Sequence, residues 1–290
     1  VLLTTREAPG LLVELVRDGG AADSHQRVGV GSPFYYSWSP DGTRMIWQRN
    51  TDRIDIYDIE TGDVIETLAQ QPGFFAAPAW SPVDDRLLFG ERSPDGSTTN
   101  LVIRANESLV TLAPELEGGV AFSWSPDGNY VAYTVDQSAL FVVDAVTGES
   151  VARSAVNGVL SFFWSPDSTR IAFISVATPQ GSFSADAGTG GVQAALAQGR
   201  PGIAWSVLDV ETSAVRRYTT FIPTRDMLYL LQYFDQFSQS HRVWSPDSRY
   251  LLYSEVTPEG DPVITLLDVS GDDSVPLSIA EGFVGVWSFD

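Results

Sequence analysis

Short apolar runs alternate with tight polar turns along this chain at a nearly fixed period. Five times a Trp is followed by Ser-Pro, a polar turn and an aromatic residue nine positions after the Trp: Trp38/Trp47, Trp80/Phe89, Trp124/Tyr133, Trp164/Phe173 and Trp244/Tyr253. A sixth copy opens at Trp287. A recurrence of about 40 residues points to a propeller or solenoid. The apolar residues before Trp38 predict a strand that Pro40 ends, because proline has no N–H for the ladder. Pro40, Asp41 and Gly42 then offer a preset φ, a side-chain turn bond and a positive φ. The return strand begins Met45-Ile46-Trp47, and the same offsets give Leu87-Leu88-Phe89, Val131-Ala132-Tyr133, Ile171-Ala172-Phe173 and Leu251-Leu252-Tyr253. These triplets are continuously apolar rather than alternating, which predicts sheets covered on both faces.

A third strand ends in Asp and a turn, at Asp58, Asp144, Asp209 and Asp268, and a more polar fourth follows, for example Val64 to Ala69. Four antiparallel strands per repeat make a propeller blade. The Trp-to-Trp spacings are 42, 44, 40, 80 and 43 residues. In the long repeat, Trp164 to Asp209 spans 45 residues where 20 is usual, and Asp209 to Trp244 spans 35. One blade with two insertions, 177–202 and 221–240, accounts for both excesses without a seventh blade. Val1 to about Val28 predicts three strands, and Phe283 to Trp287 the innermost strand of the same blade. The expected fold is all-β, a six-bladed β-propeller of four-stranded antiparallel blades. It forms a single domain over 1–290, and its last blade is closed by the N-terminal strands plus the C-terminal strand, which removes exposed edges.

The Trp-Ser-Pro-Asp-Gly turns, each followed by an apolar-aromatic strand, resemble those of the TolB-like β-propeller family of bacteria. The resemblance covers nearly the whole chain and is specific for fold. Trp80-Ser81-Pro82-Val83-Asp84-Asp85 departs from the pattern, and Trp164 and Trp244 are followed by Ser-Pro-Asp-Ser, which reads as a tolerable turn substitution. The resemblance implies a cell-envelope or exterior location (periplasmic, cell-surface or secreted) and a protein-binding role.

Composition narrows the chemistry. The formal charge is −20, which disfavours nucleic acid and anionic membrane surfaces. All 17 basic residues are Arg, so lysine Schiff-base and P-loop chemistry is absent. There is no Cys, hence no disulfide, thiolate nucleophile or Cys-ligated zinc. No apolar run is long enough to span a bilayer. Because the first residue is Val1, a signal or anchor is expected to precede this chain.

No cofactor, metal or catalytic set is expected. A Gly-x-Ser-x-Gly elbow is missing, so the hydrolase chemistry of propeller-bearing peptidases is absent. The turn aspartates do not match sialidase Asp boxes and read as turn formers. Arg44, Arg86, Arg170 and Arg249 are expected to pack their stems on the blades with heads in solvent. His25 and His241 are the only histidines. An Asp235/Ser240/His241 grouping resembles acid–base machinery, but adjacent strand residues point to opposite faces. Asp52, Asp55, Asp272 and Asp273 read as solvated loop acids rather than a Ca²⁺ site.

The insertions carry the functional expectation. In a four-stranded meander both emerge on one face, opposite the Ser-Pro-Asp turns. Ser182 to Gln198 is nearly uncharged and reads as mobile. Thr224 to Phe237 predicts a short helix with Thr224 as N-cap and Asp226 in the first turn. Two roles are open for it: a plug over the channel mouth, or an aromatic recognition surface. The candidate binding residues are Arg225, Tyr229, Tyr233, Asp235, Phe237, His241 and Arg242. The leading expectation is a non-enzymatic propeller that docks a protein partner there. The alternatives are a carbohydrate- or small-ligand-acting enzyme with its pocket at the channel mouth, and a subunit of an envelope complex.

Overall fold

The computed structural model describes residues 2–7, 10–16, 25–31, 34–49, 52–73, 77–106, 108–176, 202–237, 241–271 and 274–288. They fall into two compact units, Val1–Val120 and Ala121–Asp290. The described residues form six antiparallel sheets, four of them four-stranded, in which consecutive strands are neighbours.

The first unit holds three sheets. Strands β1 (Leu2–Glu7), β2 (Gly10–Val16) and β3 (His25–Gly31) make the first, as expected for the N-terminal segment. The second contains β4 (Phe34–Trp38), β5 (Arg44–Arg49), β6 (Arg53–Asp58) and β7 (Val64–Thr67). The third contains β8 (Ala79–Trp80), β9 (Leu87–Arg92), β10 (Thr99–Ala105) and β11 (Ser108–Leu116).

The second unit begins with β12 (Val120–Trp124), β13 (Tyr130–Val135), β14 (Phe141–Asp144) and β15 (Ser150–Arg153). Next come β16 (Val159–Trp164), β17 (Arg170–Val176), β18 (Ile203–Asp209) and β19 (Val215–Phe221), so the long repeat is one sheet. The last sheet has β20 (Tyr250–Val256), β21 (Pro262–Asp268) and β22 (Leu277–Glu281). Its expected innermost strand is reduced to a single bridge between Trp244 and Leu251. Residues 282–288, expected to include a closing strand, carry none.

The apolar triplets are buried throughout. Ile171, Ala172 and Phe173 are fully buried, as are Leu87, Leu88 and Phe89. Successive strand residues point to opposite faces, so burial of consecutive positions means that both faces are covered.

The turns are more tightly built than sequence suggests. Asp41 Oδ1 accepts from the Ser39 hydroxyl at 2.5 Å, from the Thr43 amide at 3.0 Å and from the Thr43 hydroxyl at 2.8 Å. The same hydroxyl-to-carboxylate bond recurs from Ser125 to Asp127, Ser165 to Asp167 and Ser245 to Asp247. A fifth copy, Ser93 to Asp95, closes the β9–β10 connection at the other end of its sheet. The tetrapeptide Ser93-Pro94-Asp95-Gly96 was its sequence signal, without a Trp before it.

Where Ser168 and Ser248 replace the turn glycine, they hold φ of 62° and 59°, close to the 72° of Gly128. Their hydroxyls accept from backbone amides in the preceding sheet: Asp127 N–H to Ser168 at 3.1 Å and Asp167 N–H to Ser248 at 3.1 Å. These serines therefore couple neighbouring repeats; they are more than tolerable substitutes.

The Arg heads are tied down by partners, and that of Arg249 stays exposed as expected. Arg44 pairs with Asp85 and lies 4.8 Å over the Trp80 ring. Arg170 donates to the carbonyls of Val269 at 3.2 Å and Ser248 at 2.6 Å. Arg86 and Arg249 pair with Asp84 and Asp268, each at 2.9 Å. Asp55 also departs from expectation. It is fully buried in β6, where it pairs with Arg53 at 2.9 Å and Arg49 at 3.5 Å and accepts from Thr67 at 2.7 Å. Asp52 does lie in an exposed turn, and Asp272 and Asp273 fall outside the described residues.

In the second unit the repeat tryptophans form a directional chain. Trp164 Nε1–H donates to the Ser123 carbonyl at 3.4 Å, Trp244 to Phe163 at 2.9 Å and Trp287 to Val243 at 3.1 Å. Each acceptor immediately precedes the Trp of the previous repeat. The indole N–H thereby gives each of these joints a fixed register.

Candidate functional site

The site is built on the end of the β16–β19 sheet. Val176 pairs with Ile203, and Ile203 pairs with Phe221, so the two long connections leave the same end of the sheet. Gly202 opens β18 there because a Cβ at that position would meet the Phe221 carbonyl oxygen at 2.0 Å. The first insertion otherwise lies outside the described residues. The second forms two helical segments, α1 (Arg225–Gln232) and α2 (Phe234–Phe237).

Helix α1 starts as its sequence predicts. The Thr224 hydroxyl accepts from Met227 N–H at 3.2 Å, and Asp226 lies in the first turn beside the positive end of the helix. Extended backbone at Thr224 (φ −62°, ψ 162°) sets the entry. Tyr233 leaves helical geometry at φ −120°, ψ 34° and separates α1 from α2.

One side of this element is anchored. Met227, Leu231 and Phe234 are buried. The Phe234 ring lies edge-on at 4.8 Å from Phe162 and 6.0 Å from Phe163, both in β16. A cavity of about 20 Å³ remains beneath, lined by Phe163, Met227, Leu231, Phe237, His241 and Leu252 among others. That is room for roughly one water, whereas ligand pockets are several hundred Å³.

The predicted aromatics converge, from exposed Tyr229 to Phe237 and His241 at the cavity's edge. Tyr229 lies 5.1 Å from Tyr233 and 5.9 Å from Phe237, and Phe237 lies 5.4 Å edge-on from His241. Tyr229 is 57% exposed. Tyr229, Tyr233 and Phe237, at four-residue spacing, form one stripe of touching rings, and Arg225 lies one turn before Tyr229. The His241 amide continues the stripe by donating to the Phe237 carbonyl at 2.8 Å. That four-residue spacing was the sequence signal that ties His241 to the tyrosines. Asp235 falls between stripe positions. Arg242 is exposed next to His241, and its carbonyl accepts from Trp287 N–H at 3.3 Å. Ser240 lies outside the described residues, so the Asp235/Ser240/His241 grouping has no geometry here. His25 lies in β3, with Nδ1 3.9 Å from Glu14 in the first unit.

The titratable groups with clear perturbations are away from this stripe. Hydrogen bonds from the Ser39 hydroxyl and then from Thr43 hold the Asp41 carboxyl at about 2, and Ser93 and Ser97 do the same for Asp95. At Asp127 and Asp167 burial pushes upward, but the hydrogen bonds of the turn outweigh it and leave both lowered. No group of three or more His, Asp or Glu capable of holding a metal occurs among the described residues.

No family model matches the chain, and no curated protein matches it in sequence. Its fold is shared with solved structures. It superposes on an oligogalacturonate lyase in complex with manganese with a TM-score of 0.60 at 13% identity, covering 97% of this chain and 73% of that one. A second oligogalacturonate lyase, from Vibrio parahaemolyticus, gives 0.57 at 14% identity, covering 96% and 74%. TolB from Acinetobacter baumannii gives 0.48 at 16% identity, covering 98% of this chain and 64% of that one. The chain thus spans less than two thirds of that TolB structure's length. At these identities the likeness concerns the fold alone: an all-β protein of repeated antiparallel sheets with propeller neighbours.

Proposed function

We propose that this chain is a TolB-like six-bladed propeller of the cell envelope or exterior. It docks a protein partner through Arg225, Tyr229, Tyr233, Asp235, Phe237, His241 and Arg242. In this reading residues 1–290 form one domain, closed by the N-terminal strands and the Phe283–Trp287 segment. The six described sheets and the repeated Trp links support the ring, and the family resemblance supports the location. No helix among the described residues is long and apolar enough to cross a membrane.

The observation that carries the docking reading is the run of touching rings, headed by exposed Tyr229, on an element anchored by Met227, Leu231 and Phe234. Rigid aromatic side chains presented on an ordered scaffold are the usual anchors of protein interfaces.

The test is site-directed photocrosslinking in the native host. A photoreactive residue replacing Tyr229 should give a discrete covalent adduct with one partner. The same residue replacing Val146, which is 69% exposed on a β14–β15 turn, should not. Equal labelling from both positions, or none from position 229, rejects the reading.

A further inference from the structure

We propose that Asn157 is a site of spontaneous covalent modification, at which its side-chain amide condenses with the backbone nitrogen of Gly158 and is converted to a carboxylate. Asn157-Gly158 is the one Asn-Gly step in the chain. It lies in the connection between β15 and β16, where residues 154–158 belong to no strand and Asn157 is exposed. The Gly158 nitrogen, giving its proton to a solvent base, attacks Asn157 Cγ. An N–Cγ bond forms, the Cγ–Nδ2 bond breaks, and the side-chain nitrogen takes up a proton and leaves as ammonia. The attack closes a succinimide ring within one residue pair, so no second reactant has to be gathered. Water then opens the ring at either carbonyl. One opening restores the main chain with an aspartyl residue at position 157. The other leaves the main chain running through the β-carbon, an isoaspartyl residue.

The structure leaves this step open and closes the comparable ones. Gly158 holds φ of 77°, and among the described residues nothing lies within 4 Å of where a Cβ would stand, so the approach to its nitrogen is uncrowded. An exposed residue in a connection also has the rotational freedom to bring its Cγ onto that nitrogen. At Asp41-Gly42, by contrast, the Gly42 N–H donates to the Ser39 carbonyl at 2.9 Å while Ser39 and Thr43 hold the carboxylate. Asp95-Gly96 and Asp127-Gly128 repeat both locks, with Gly96 donating to Ser93 at 2.9 Å and Gly128 to Ser125 at 3.0 Å. The same turn bonds hold the Asp41 and Asp95 carboxyls at about 2, in the ionised form that resists attack. Asn100 accepts from Glu115 N–H at 2.9 Å and precedes Leu101, and Asn129 donates to Asp127 at 2.8 Å and precedes Tyr130.

Position gives the chemistry a consequence. Val159 pairs with Ser175, the adjoining Val176 pairs with Ile203, and Ile203 pairs with Phe221. The β15–β16 connection therefore lies at the end of the sheet from which the second insertion leaves. Modification adds a negative charge there, and the isoaspartyl form lengthens the main chain by one methylene shortly before buried Val159. The condensation needs no partner, so it stands or falls apart from the docking reading.

The test is peptide mapping of the native protein after prolonged incubation in mildly alkaline buffer, beside the same chain unfolded in guanidinium chloride. Trypsin releases Ser154–Arg170, because the chain has no Lys. From the native protein this peptide should progressively gain the mass of an amide-to-acid conversion and separate into aspartyl and isoaspartyl forms. The native protein should also accept methyl groups from an isoaspartyl methyltransferase, whereas Asn100, Asn129 and the Asp-Gly turns stay unmodified while folded. Asn157→Gln, whose longer side chain would close a larger ring more slowly, should abolish that methyl acceptance. It is preferable to Gly158→Ala, which strains the positive φ. A native Ser154–Arg170 peptide that keeps its amide while the unfolded chain loses it would mean that the fold protects the step, and would overturn the proposal. Undiminished methyl acceptance in the Gln variant would move the modification elsewhere and overturn it equally.

Discussion

The Thr224 hydroxyl lies 2.8 Å from the Ser254 hydroxyl, and the direction of that bond is fixed by what else Thr224 does. Thr224 accepts from Met227 N–H at 3.2 Å and gives its single proton to the Phe283 carbonyl at 2.7 Å. Ser254 must therefore be the donor between the two. One buried hydroxyl thus joins the start of α1, strand β20 and the segment after β22. Thr224→Val keeps the shape but loses all three bonds, so the variant should be less stable by about 2–4 kcal/mol. Thr224→Ser should retain most of the stability. Urea denaturation followed by tryptophan fluorescence measures both, and a Val variant as stable as the Ser variant would dismiss the junction.

The serines at the left-handed turn positions make an opposed pair of predictions. Ser168→Ala keeps the strained φ and removes the bond from Asp127 N–H, and should cost roughly 1–2 kcal/mol. Ser168→Gly also loses the bond but relieves the backbone, and should recover about 0.5–1 kcal/mol of that. Thermal melts that rank Gly no better than Ala would remove the left-handed strain from this account.

The turn carboxylates predict an acid transition. The Asp41 and Asp95 carboxyls are held at about 2, and those of Asp127, Asp167, Asp209, Asp247 and Asp268 are also lowered. A folded value below the unfolded one, about 3.9, means that the unfolded chain binds protons first. Their contribution is complete above about pH 5 and is lost as pH falls through about 4 towards about 2. Melting temperatures should be flat from neutrality to about pH 5 and then drop steeply. A midpoint unchanged between pH 4 and pH 2 would contradict this.

Asp55 and Asp52 offer a contrast within one repeat. Asp55→Asn leaves the guanidinium groups of Arg49 and Arg53 beside a neutral buried amide and should destabilise by about 2–4 kcal/mol. Asp52→Asn, in an exposed turn, should change stability by less than about 0.5 kcal/mol. Equal effects in chemical denaturation would return Asp55 to the class of solvated acids.

Much of this architecture was legible in the primary structure, for reasons that can be named. The Trp to Ser-Pro to aromatic offsets located β5, β9, β13, β17 and β20, because buried two-faced strands demand continuous apolar triplets. The Asp turns after β6, β14, β18 and β21 were legible because an Asx turn needs that side chain. Thr224 announced its helix by its capping chemistry. Asp55 was misread because Arg49 and the covering of its strand come from the β5–β6 pairing, although Arg53 lies two residues away on the same strand. The inter-repeat bonds of Ser168 and Ser248 span 41 and 81 residues, a separation at which local pattern carries no information. The break at Tyr233 and the anchoring of Phe234 on β16 likewise depend on packing, whereas the ring stripe follows from simple four-residue spacing.

The tryptophan links have an evolutionary corollary. Their acceptors are main-chain oxygens, supplied in turn by a serine, a phenylalanine and a valine. Such a joint is blind to the residue type on its receiving side, so that side can drift in sequence while the donor indole keeps this bond. Duplication of one module would bring both halves of the joint with it, which makes growth of the array a one-step event.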